Sequence, residues 1–120
     1  MRAAGIDERH LVQERVGGNF LVFIYEGGDN PGWSWSVDSY LLTDTDLPHA
    51  LQWLHQNLPV DSCWAIGVVL DPPLPTDESD LKVDWLVGAD VLNMSPADRS
   101  AREQRLAEEM LSRRHRVNVP

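Results

Sequence analysis

One cysteine and one lysine, Cys63 and Lys82, are all that this 120-residue chain contains of either type. A lone cysteine excludes an internal disulfide, so nothing here requires an oxidising compartment. Lysine is scarce beside nine arginines, which points to a GC-rich, bacterial genome, because arginine codons are GC-rich and lysine codons AT-rich. Long apolar runs are missing as well. No stretch approaches the roughly 18 residues of a membrane span, and MRAAGIDERH has no apolar signal-peptide segment. A cytoplasmic protein without a membrane contact is the expectation. The chain also lacks HExxH, CxxC, GxSxG and EF-hand patterns. Its glycine pairs, Gly17-Gly18 and Gly27-Gly28, do not lead into helix N-termini, so no phosphate cradle is expected.

What is present is acid. The formal net charge is −9, and it is unevenly laid out. Thirteen carboxylates between residues 16 and 98 face the single Lys82, whereas residues 99–120 hold six arginines against three glutamates. Such a body repels phosphate, which argues against nucleic acid as a partner. The densest acids sit in DPPLPTDESD, residues 71–80, with three prolines and four acids. That composition predicts a mobile acidic loop rather than a regular element.

At this length and with 42% apolar residues, the chain is expected to fold as one domain spanning 1–120. NFLVFIYE is apolar on both faces and reads as a covered central strand. Residues 10–16, joined to it by Gly17-Gly18, read as a hairpin arm, with a short helix over 6–16 as the alternative. After the GGDNPG turn, Trp33, Trp35, Val37 and Leu41 alternate with polar residues, as on a strand with one wet face. Leu81, Val83, Trp85 and Val87 repeat the pattern, so Trp33, Trp35 and Trp85 are expected to cover one sheet face. DLPHALQWLHQNLP predicts a helix capped at Asp46 or Thr45 and ended by Pro59, with Leu47, Ala50, Leu51, Leu54 and Leu58 as its apolar stripe. SCWAIGVVL predicts a buried strand with Trp64, Ile66, Val68 and Leu70 on one side. A last helix is expected from an N-cap at Ser95, with Asp98–Arg102 and Glu109–Arg113 pairs. The predicted fold class is α+β: an antiparallel sheet of four to five strands, ordered β-β-β-α-β-β-α, packed with two helices.

Candidate chemistry is thin. His49 and His55 lie about 240° apart around a helix and cannot share an ion. Asp44, Asp46 and His49 are better spaced, but capping accounts for Asp46 and solvation for Asp44. Cys63 falls in a buried strand, away from the exposed, positive surroundings of a reactive thiolate. No catalytic residue, metal ligand or cofactor is assigned. The charge layout instead suggests a non-catalytic protein-binding or inhibitory module, similar in role to bacterial immunity proteins, that meets a basic protein. Its contact residues are expected to be Asp71, Asp77, Glu78, Asp80 and Trp33. Two alternatives stand beside this: an acidic homodimer whose element order resembles the small secretion chaperones, and a ligand binder or enzyme with a cleft beside Trp33 and Trp53.

Overall fold

The computed structural model describes residues 1–5, 17–28, 34–70, 82–114 and 116–117. Within them the elements run β1 (Gly18–Glu26), β2 (Ser36–Thr45), α1 (Leu47–Asn57), β3 (Cys63–Val69), β4 (Val83–Val87), a 3-10 turn (Pro96–Asp98) and α2 (Ala101–Ser112). The strands form one antiparallel sheet in the order β2-β1-β3-β4, with the two helices on opposite faces. This is the α+β class that the sequence predicts.

β1 is central because neither of its faces is polar. Phe20, Val22 and Ile24 point to one side and join Trp64 and Ile66 of β3 against Ala50 and Leu54 of α1. Tyr25 points to the other, with Cys63 and Ala65, against Val91, Leu92 and the α2 residues Ala107 and Met110. Along residues 20–25 both edges of β1 are hydrogen-bonded, to β2 and to β3. The sequence places a hairpin arm at 10–16. That segment, with its strand-or-helix alternative, lies outside the described residues, as do the turn at 29–33 and the acidic loop at 71–80.

Four expectations change. β2 starts at Ser36 and runs to Thr45, so Trp35 precedes it. The Asp44 backbone takes φ 55°, and its N–H is held at 2.9 Å by Asn19 Oδ1, which steadies a conformation that asparagine and aspartate tolerate best. In β4 the register slips between Ile66 and Gly67, so Trp85 lies opposite Gly67 on the α2 side while Val87 joins the α1 side. Leu70, just past β3, is 55% exposed rather than covered.

The fourth concerns α2. Ser95 caps only the 3-10 turn and makes no side-chain cap bond. The helix proper begins behind Ser100, whose hydroxyl accepts from the Glu103 N–H at 3.1 Å, while its own N–H donates to Glu103 Oε1 at 2.9 Å. This complete capping box outcompetes the partial one upstream. Asp98 and Arg102 therefore do not share a helix.

α1 follows the sequence closely: Asp46 Oδ1 accepts from the His49 N–H at 2.9 Å, and Pro48 sits in the first turn. Hydrogen bonds from the His49 backbone and then its ring hold the Asp46 carboxyl below its ordinary value. The Ser100 backbone and then its side chain do the same for Glu103. The folded state thus takes up these protons less readily than the unfolded chain. Their stabilisation is full at neutral pH and is lost as pH drops below about 4. In thermal melts from pH 7 to pH 3, an Asp46→Asn/Glu103→Gln variant should lose less stability than the native chain. Equal slopes would show that the caps carry no acid sensitivity.

Candidate partner-binding surface

The sequence places the contact at Asp71, Asp77, Glu78, Asp80 and Trp33, and all five lie outside the described residues. The surface is therefore built from the acids that the structure does describe. Between residues 16 and 98 these are Glu26, Asp38, Asp44, Asp46, Asp61, Asp84, Asp90 and Asp98, and all but the half-buried Glu26 are exposed. Asp38 and Asp44 lie on the edge strand β2, Asp46 at its junction with α1, and Asp84 on the opposite edge strand β4. The carboxylates ring the sheet instead of meeting in one pit.

The arginines behave differently. Arg99, Arg113 and Arg114 are half-buried. Arg99 donates through Nε to the Val91 carbonyl at 3.0 Å and through Nη2 to the Leu92 carbonyl at 3.1 Å, and Nη1 reaches Gln104 Oε1 at 3.1 Å. Arg114 donates to the Asp61 carbonyl at 2.9 Å and stacks over Trp35, its guanidinium 5.1 Å from the ring centre. Arg113 lies 5.7 Å from the ring centre of Trp64. Each is held by carbonyls or an aromatic face, the partners that suit a weakly hydrated guanidinium. These three positive charges are folded inward, while Arg102, Arg105 and Arg116 stay exposed. The sequence shows six arginines near its end but gives no sign of which way they turn.

Trp35 and Trp85 share the α2 face, as the alternation predicts, but both are half-buried rather than sealed. Trp85 packs edge-on to Phe23, ring centres 5.2 Å apart, and Phe23 packs in turn on Tyr25. Asn93 holds the Trp35 backbone through a reciprocal pair: it accepts from the Trp35 N–H at 2.8 Å and donates to its carbonyl at 3.0 Å. Fully buried Tyr25 donates its hydroxyl to Asp90 Oδ1 at 2.7 Å. Burial, then this hydrogen bond, push its ionisation far above the ordinary range. The hydroxyl therefore stays protonated and serves as a strut.

Grooves lined by the described residues flank the sheet on both sides. One of about 510 Å³ runs between β4 and α2, with Trp85, Leu86 and Leu106 on its walls and Arg102 and Arg113 further along the helix. The other, about 340 Å³, lies between β2 and α1 and is lined by Leu42, Thr43, Thr45, His49 and Trp53. Trp53 thus borders a cleft, while Trp33, its expected companion, is not described. Asp46 is engaged as the α1 cap, and no group of three His, Cys, Asp or Glu among the described residues is placed to hold a metal. Cys63 is buried. No helix among the described residues is long and apolar enough to cross a membrane. Compared with known protein families, curated proteins and solved structures, the chain matches none.

Proposed function

We propose that this chain is a non-catalytic protein-binding or inhibitory module that takes a basic protein onto its acidic surface. One observation carries the reading. Between residues 16 and 98 the exposed charge of the described residues is carboxylate except for Lys82, and of the six arginines that follow, Arg99, Arg113 and Arg114 are turned into carbonyls and indole rings while Arg102, Arg105 and Arg116 stay exposed. Concentrated like charge opposes compact folding, and a surface that keeps it gains fast, steered encounter with an oppositely charged partner.

The chain, immobilised, should retain a basic protein from lysate of its native host at low salt. Association should slow markedly between low and physiological ionic strength, because steering is screened over about 8–10 Å. Neutralising Asp77, Glu78 and Asp80 together should lower the on-rate more than it raises the off-rate. Binding indifferent to both salt and that triple substitution would refute the reading. So would turnover of a substrate by the purified chain that is abolished by changing Cys63 or His49.

A further inference from the structure

The grooves beside the sheet differ in charge. Between β4 and α2, Asp84 and Glu109 are offset by Arg102 and Arg113, so a cation finds no net attraction there. Between β2 and α1 the lining holds neither lysine nor arginine, and residues 36–57, which span both elements, contain none. Exposed carboxylates border this second groove. Asp44 falls between Thr43 and Thr45 of its wall, and Asp46 follows directly after. Asp46 Oδ1 also holds the His49 ring at 2.7 Å, which ties the groove's ionisable lining residue to a carboxylate.

Strand alternation decides what stands beside these carboxylates. β2 keeps a continuous register with β1 from Ser36 to Leu42, so Asp38, Tyr40 and Leu42 share the face that α1 covers. Leu42 packs against the core. Tyr40 stays 40% exposed and rests on half-buried Trp53, ring centres 5.1 Å apart and planes tilted by 58°. Both rings keep aromatic surface open to solvent, and Asp38 stands two residues, about 7 Å, along the strand from Tyr40. A guanidinium answers both features at once: its plane stacks on a ring and its fork meets a carboxylate. Within this chain Arg114 already lies over Trp35 in that manner.

We propose that the β2–α1 face is where the basic partner seats its arginines, one guanidinium stacked on Tyr40 and paired with Asp38, others meeting Asp44 and Asp46. The proposal rests on the acidic reading above and adds to it a place and a recognised side chain. An aromatic centre inside a charged rim is the layout of an energetically effective contact, because the rings supply buried area while the rim supplies direction. Arginine suits it better than lysine, whose compact, strongly hydrated ammonium has no plane to lay on a ring.

An octa-arginine peptide serves as the probe, titrated at low salt into the isotope-labelled native chain and into an Asp77→Asn/Glu78→Gln/Asp80→Asn variant. In both, amide shifts should gather at residues 38–46 and at the Trp53 indole N–H. Tyr40→Leu and Asp38→Asn should each weaken peptide binding about 2–5-fold, the worth of one exposed cation–π contact or ion pair. Octa-lysine, equal in charge, should bind more weakly than octa-arginine. Shifts that spare these residues and gather at Asp84, Asp90 and Asp98, or that vanish in the triple variant, overturn this face and leave the acidic reading standing. No shift at any amide overturns both. Shifts at the expected residues, with affinity unmoved by Tyr40→Leu and equal for the two peptides, overturn the aromatic contact and the arginine preference that depends on it.

Discussion

Replacing Trp64 by alanine is expected to cost about 3–5 kcal/mol, the range for removing a large aromatic ring from a packed core. The ring is 1% exposed and lies opposite Ile24 in the centre of the α1-side core, against residues of both β1 and α1. It also ties down the chain that follows α2. Its Nε1–H donates to the Arg116 carbonyl at 2.7 Å, and Val117 packs against the same cluster. Arg113 lies over the indole as well. The substitution therefore opens a cavity and releases the segment that wraps from the α2 side of the sheet to the α1 side. Domains of this size hold only about 5–15 kcal/mol in total, so the urea midpoint should fall by roughly 1–3 M. Trp64→Phe separates the two contributions. It keeps most of the ring and removes the donor to the carbonyl of exposed Arg116, and should cost about 0.5–1.5 kcal/mol, the net worth of one hydrogen bond whose acceptor water can reach. If Trp64→Ala and Trp64→Phe shift the midpoint equally, the tether outweighs the cavity and the packing argument is wrong.

How far these features can be read from the chain depends on the distance between cause and effect. The centrality of β1 is legible because both faces of NFLVFIYE are apolar, a property of eight consecutive residues. α1 is legible for the same reason: Asp46, Pro48, the leucine spacing and Pro59 all act within one helix length. Pairing partners are a different matter. β1 finds its neighbours in β2 and β3, segments far along the chain, and only the assembled sheet decides which edges are filled. The slip that carries Val87 to the α1 side exists only where β4 meets β3. The face shared by Trp35 and Trp85 follows from alternation, but the clamp on Trp35 comes from Asn93, 58 residues away. The acidic layout is visible in composition. The inward turn of Arg99, Arg113 and Arg114 is not, because it depends on where the fold sets carbonyls and indole rings within their reach.

Arg99 shows that dependence best, and replacing it by alanine is expected to cost about 2–3 kcal/mol. The main-chain carbonyls of Val91 and Leu92 belong to no strand or helix, and both residues are buried on the α2 side. The Val91 carbonyl keeps a second donor in the Met94 N–H at 3.2 Å, so the penalty of about 1–3 kcal/mol for an unpaired buried carbonyl falls on Leu92, and Val91 adds only the loss of one charge-assisted hydrogen bond. One planar guanidinium serves both carbonyls, and its third contact, Gln104 Oε1, lies in the first turn of α2. Arg99 thereby fixes the spacing between the 3-10 turn and the helix. It holds an extended residue, ψ 137°, directly before the Ser100 cap, which is why the helix starts at Ala101 and not behind Ser95. Lysine keeps the charge but lacks the fork, so Arg99→Lys should recover less than half of the loss. Amide exchange should separate a local effect from a global one. In Arg99→Ala, protection should fall first at Met94 and Gln104, whose N–H groups close the turns flanking the guanidinium, while β1 amides keep native protection. Full rescue by lysine would reduce Arg99 to a charge and remove its part in setting where α2 begins.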